Sequence, residues 1–233
     1  MKATLNKFYF SAFFAVLIFG CSGSNQEKTL KPESMNAGLF PSLISSLTGS
    51  NKTLKAGEYI QWIEDKNNGL IDSRDFDDLN YYVQYKPIDY VTLKTLGPDG
   101  LNKKIFSETK KEYEGMQYFT LTLSNRSSQE DLLRYDVTGS EEYQHRVSYF
   151  AFDAQNDIKL IQGTDTLYCK LYHFERTYNI GPFVSLLMGF DMPSKKNQSS
   201  DKILTFHDRA FGNGIIKLKI KSENVEKIPD LIF

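Results

Sequence analysis

The feature that most constrains this chain is a period-two alternation of apolar and polar residues over most of its second half. Strand-like runs at residues 118–123, 145–152, 157–161, 166–174, 183–190, 203–207, 215–220 and 228–233 are separated by turn signals. These include Asp153-Ala154-Gln155-Asn156, Gln162-Gly163-Thr164-Asp165, Asn179-Ile180-Gly181-Pro182 and Gly212-Asn213-Gly214. Side chains of a strand point alternately to its two faces, so repeated short runs with such turns predict an antiparallel β-sandwich or a curled sheet. The segments 147–152 and 166–174 are apolar or aromatic on both faces, which predicts central strands, whereas Ile215, Lys217 and Lys219 give the last long strand one wet face. Residues 194–200 read as a hairpin tip.

The first half is mixed. Tyr59-Ile60-Gln61-Trp62-Ile63 reads as a strand followed by a tight turn at Asn67-Asn68-Gly69. A second strand carries Leu79, Tyr81, Val83 and Tyr85 on one face and ends at Pro87. Pro87 can open a helix that runs to Leu96 and closes at Gly97. A further helix over 101–114 places Leu101, Ile105 and Tyr113 on one stripe, with Gly115 after it. The expectation is a mainly β, α+β unit from residue 58 to 233, with two helices packed on its side. No repeat or linker divides it.

The 233 residues, 40 % hydrophobic and 24 % charged, suit an ordinary packed core. With 28 basic and 29 acidic residues there is no basic surplus of the kind that nucleic-acid binding needs, so no nucleic-acid partner is expected.

The amino terminus has a different pattern. MKATLNK carries two lysines and no acid, and the apolar run from Phe8 to Phe19 is too short for a membrane span of about 20 residues. This is the layout of a secretory signal over residues 1–20. Ile18-Phe19-Gly20-Cys21 follows, and it resembles the lipobox of bacterial lipoproteins, with a small residue before the cysteine. The resemblance covers the leader alone. It implies a diacylglycerol on Cys21 and further acylation of its amine after cleavage; no other cofactor is expected. Ser22 after the cysteine implies the outer membrane under the general sorting rule for such proteins, and the side that the domain faces stays open. Residues 21–57 then read as a lipidated cysteine, a polar tether and a short helix with Phe40, Leu43, Ile44 and Leu47 on one side.

Once Cys21 is acylated, Cys169 is the one remaining cysteine, so no intramolecular disulfide can form. Its strand context, Leu167-Tyr168-Cys169-Lys170-Leu171, predicts a buried, inert thiol on the face of Leu167 and Leu171.

Chemistry-bearing motifs are sparse. There is no HExxH, GxSxG, Walker loop or CxxC pair. Gly212-Asn213-Gly214 lacks the third glycine and the following helix of a dinucleotide site and reads as a hairpin turn. Asp72, Asp75, Asp77 and Asp78 are acidic but fit a solvated turn better than a calcium loop. His145, His173 and His207 are unlinked in sequence, and no metal site is expected. His173 and Glu175 share a face at the end of an apolar strand, which makes them the one acid–base candidate. Trp62 and Tyr82 are the candidates for an exposed aromatic platform, because alternation commits their tyrosine neighbours to the core.

These readings converge on a membrane-anchored, non-enzymatic lipoprotein of the cell envelope that binds an envelope protein or serves a structural role. Two rivals stand beside it. One is a surface glycan-binding module built on Trp62 and Tyr82, and the other is a hydrolase built on His173 and Glu175.

Overall fold

A computed structural model of the chain describes residues 52–97, 102–176 and 181–233. The leader, Cys21, the tether and the expected helix over 39–47 lie outside the described residues, as do Leu101 and the turn residues Asn179 and Ile180.

The sheet is antiparallel, as the alternation predicts. Its strands are β2 (Ile71–Phe76), β3 (Leu79–Lys86), β4 (Met116–Asn125), β5 (Ile158–Gln162), β6 (Asp165–Glu175), β7 (Phe183–Asp191), β8 (Lys202–Asp208) and β9 (Gly214–Ile220). Among the described residues these eight form one sheet in the order β2-β3-β4-β7-β6-β5-β8-β9. The sheet curls until its two edges meet, so it is nearly a barrel. The seam is closed by a side chain instead of a ladder, since Asp72 Oδ2 on β2 accepts the backbone N–H of Lys219 on β9 at 2.7 Å. Covering both edges in this way removes the exposed strand edges that invite aggregation.

Inward residues fill the interior. Tyr81, Phe119, Leu121, Leu160, Leu186, Phe190, Phe206 and Leu218 are each at most 1 % exposed. A barrel of this strand number has room for side chains and little else, and here large residues take that room. Polar groups cross the interior at two levels. Tyr81 Oη donates to Asp208 Oδ2 at 2.6 Å, and Lys202 Nζ donates to Gln117 Oε1 at 2.6 Å.

A second small sheet pairs β1 (Thr53–Lys55) with β10 (Asp230–Ile232) in parallel. The expected strand at 228–233 is therefore short and sits outside the main sheet. Both hairpin turns expected between β5 and β6 and between β8 and β9 are present, with Gly163 at φ 59° and Gly212 and Gly214 at φ 77° and 72°. The helices that follow β3 are present, as α2 (Ile88–Leu96), directly after Pro87, and α3 (Lys103–Glu112), but α3 buries Phe106 and leaves Ile105 of the expected stripe 45 % exposed.

Four local expectations are corrected. Tyr59 to Ile63 is helical, within α1 (Ala56–Glu64), because Tyr59 and Ile63 stand one turn apart on the buried side. Glu58 accepts the Lys55 backbone N–H at 3.2 Å, half of a capping box at the helix start. The segment 145–152 is also helical. α4 (Ser140–Ser148) runs on into a π-helical turn at Tyr149–Asp153, with Glu141 and Glu142 placed four residues before His145 and Arg146. Residues 194–200 are a crossover: they connect β7 to β8, which β6 and β5 separate.

The fourth concerns β6. It is central, yet one of its faces is open, with Tyr168 60 % and Leu171 41 % exposed. A bulge at Lys170 shifts the register, so that Cys169 faces Phe190 while Leu171 faces Gly189. The extra residue turns Leu171 outward and brings Tyr172 and Phe174 inward. Leu171 therefore does not share a face with Leu167 and Cys169.

Candidate functional site

The outward side of the β2–β3 hairpin holds a cleft of about 230 Å³ lined by Lys66, Ile71, Asp72, Ser73, Asn80 and Tyr82. Its frame follows from register, for Tyr82 stands opposite Ser73 on β2 and Thr122 on β4, and Asn80 stands opposite Asp75. Asp77 and Asp78 make the two-residue connection, with Asp77 at φ 48°. This is the left-handed conformation of a tight hairpin, and Asp tolerates it better than most residues.

Several cleft groups already have structural partners. Asp72 Oδ1 accepts from Arg74 Nη1 at 3.3 Å while its other oxygen holds the seam, and Asn80 Nδ2 donates to Asp75 Oδ1 at 2.6 Å. The Lys66 amine, the Ser73 hydroxyl and the phenol of half-buried Tyr82 have no side-chain partner among the described residues and remain for a ligand. One aromatic face beside an amine and hydroxyls suits a polar group that also presents an apolar surface, such as a sugar ring or a side chain of a partner protein.

Trp62 lies elsewhere. It is half-buried on α1, packs against the hydrophobic core, and accepts Asn68 Nδ2 on its backbone oxygen at 2.8 Å. It is absent from the cleft lining, so the aromatic surface of the cleft comes from Tyr82 alone.

His173 and Glu175 do share the outward face of β6, facing Leu187 and Ser185 of β7. His173 is exposed, and neither residue lines the cleft. His145 is on α4, 3.8 Å from Glu141, and His207 is on β8, 3.9 Å from Asp157. No group of three or more metal-ligating side chains converges among the described residues. The acidic turn binds its own surroundings. Asp75 pairs with Arg126 at 3.1 Å, Asp78 accepts from the Ser127 hydroxyl, and Arg126 Nη2 donates to the Asp77 carbonyl at 2.6 Å.

Cys169 is half-buried, and burial pushes its thiol up to about 11. Its Sγ donates to the Leu171 carbonyl at 3.1 Å. A thiol so far from its thiolate is a poor nucleophile.

Sequence reasoning points to Tyr82 but not to Lys66, Ser73 and Asn80, and it reads Asp72 as part of a solvated turn, because it does not recognise β2. Ile-Asp-Ser-Arg-Asp-Phe is too polar to look like a strand, yet Asp77-Asp78 between two extended runs is a hairpin signal. Lys202 was also missed. It is 5 % exposed inside the barrel, and burial lowers its amine to about 8.

No protein-family model, no curated protein and no solved structure matches the chain.

Proposed function

We propose that the protein is a lipid-anchored component of the cell envelope that acts by binding an envelope partner on the outside of its barrel, without catalysis. The observation that carries this reading is the filled interior. A barrel packed with Tyr81, Phe119, Phe190 and Phe206 offers no lumen to a ligand, which leaves the outer faces and the Tyr82 cleft for recognition.

Two further points support it. The buried polar groups that could serve chemistry are taken up in struts: Asp208 accepts from Tyr81 and from the backbone N–H groups of Ala210 and Phe211, and Lys202 is held by Gln117 and Gln162. The leader and Cys21 supply the anchor, and diacylglycerol with an amide-linked chain buries enough methylene to hold a domain at a bilayer indefinitely. A tethered domain meets membrane partners at high effective concentration, so each contact can be weak.

The glycan reading stays as the second, and the Tyr82 cleft favours it, since a tyrosine face beside Ser73 and Lys66 matches the mixed apolar and hydroxyl surface of a sugar. One experiment separates the two. Tagged, lipidated protein should recover a specific envelope protein in an affinity pull-down, and Tyr82→Ala should reduce recovery while costing no more than about 1 kcal/mol of stability. Binding to a glycan array that Tyr82→Ala abolishes, with no protein recovered, would replace the first reading by the second. Unchanged recovery would remove the cleft from either.

A further inference from the structure

The outward face of β5, β8 and β9 is not the polar surface expected of a solvated sheet. Register fixes its layout. Tyr168 of β6 stands opposite Lys159, Lys159 opposite Thr205, and Thr205 opposite Lys217. In the adjacent row Ile161 stands opposite Ile203, and Ile203 opposite Lys219. Ile215 extends the patch beyond Lys217 and is 65 % exposed.

Its unneutralised charge is of one sign. Lys159 Nζ lies 5.6 Å from the centre of the Tyr168 ring and pairs with no carboxylate among the described residues, and the same holds for Lys217. The nearby acids are engaged. Asp201 pairs with Lys219 at 2.6 Å, and Asp157 pairs with Arg209 at 3.0 Å. What remains outward is a set of branched apolar side chains and a tyrosine, rimmed by unneutralised ammonium groups on long stems. Lysine stems lie along apolar surface while their heads seek anionic oxygens, and tyrosine favours the boundary between apolar and wet layers.

We propose that this face docks on an anionic bilayer surface, with Lys159 and Lys217 on lipid phosphates and Tyr168 and Ile215 at the headgroup boundary. The proposal rests on the reading of the protein as lipid-anchored, since an anchor keeps the domain within reach of that surface. A protein partner would be expected to place carboxylates opposite these lysines and to need a contiguous apolar contact. The interleaving of lysine with isoleucine suits a fluid, anionic layer better.

The test uses the mature chain from residue 21 carrying Cys21→Ser, so that neither the leader nor an acyl chain contributes, and vesicles of phosphatidylcholine alone or mixed with phosphatidylglycerol. Partition should favour the anionic vesicles and fall with salt. Replacing both Lys159 and Lys217 by Gln should weaken binding to the anionic vesicles about 25-fold, given about five-fold for each lysine near such a surface. Lys103→Gln with Lys104→Gln, exposed on α3, should leave it unchanged. Equal binding to both vesicle types, or equal weakening by the two double variants, overturns the proposal. The anchor fails separately, by a wild-type chain of unmodified mass, and that result would not alter the vesicle comparison.

Discussion

Lys202 Nζ donates to Gln117 Oε1 at 2.6 Å and to Gln162 Oε1 at 3.3 Å inside the barrel, so a buried amine is held by two neutral amides and, among the described residues, by no carboxylate. The amides are fixed in turn, Gln117 Nε2 on the Asp191 carbonyl and Gln162 Nε2 on the Gln198 carbonyl. Neutral oxygens satisfy the ammonium without cancelling its charge, and burial lowers its pKa from 10.5 to about 8. Between those values the unfolded chain binds the proton that the folded chain has released, so this residue makes stability rise with pH; below the folded value both states are charged and the contribution is flat. Buried tyrosines act in the opposite sense above the ordinary tyrosine pKa, because burial raises theirs, and a comparison of variants cancels them. Urea unfolding at about pH 7 and about pH 9.5 should show wild type gaining roughly 2 kcal/mol relative to Lys202→Met. Parallel pH profiles would mean that the amine is not desolvated.

Tyr81 and Asp208 form the second strut. Asp208 is 1 % exposed and also accepts the backbone N–H groups of Ala210 and Phe211, while Asn213 Nδ2 donates to Tyr81 Oη at 2.8 Å. Tyr81→Phe removes one donor to a buried carboxylate and one of the two acceptors of Asn213 Nδ2, which also donates to Asp208 Oδ2 at 3.3 Å. It should cost about 2–3 kcal/mol, the range for hydrogen bonds to charged groups, with little change in the sheet. Thermal unfolding with circular dichroism checks this, and an unchanged melting temperature would show that the Ala210–Asn213 turn alone satisfies Asp208.

Cys169 should react slowly. Its thiol is pushed up to about 11 by burial, so the thiolate is scarce near neutral pH, and the bulge at Lys170 keeps Sγ against the Leu171 carbonyl. Labelling of the folded Cys21→Ser chain by a maleimide should be slow and become fast in denaturant. Fast labelling of the native protein would contradict the burial of this side.

How far the fold was legible depended on which signals were local. The β3 segment was readable because Leu79, Tyr81 and Val83 all face one core, and the β5–β6 and β8–β9 turns because Gly163, Gly212 and Gly214 adopt left-handed conformations. Tyr59 to Ile63 and His145 to Phe152 were misread for a common reason. Runs of adjacent apolar residues satisfy both periods, and what decides for helix is the capping and pairing supplied by Glu58, Glu141 and Glu142. The closure of the sheet was not legible at all. It depends on Asp72 meeting the backbone of Lys219, a contact between residues far apart in the chain, and on a polar strand, β2, that only its hairpin partner reveals. At the cleft, alternation pointed to Tyr82, while Ser73 and Lys66 were brought beside it by that same unrecognised strand and the turn before it.

The central claim is that a lipid on Cys21 holds this barrel at a membrane. The most direct measurement is the intact mass of the protein purified from the membrane fraction of its own cells, beside that of a Cys21→Ser variant. The account predicts a wild-type chain beginning at Cys21 and heavier than its polypeptide by a diacylglycerol and an acyl chain, and a variant that lacks this mass. A wild-type chain of unmodified mass would contradict it.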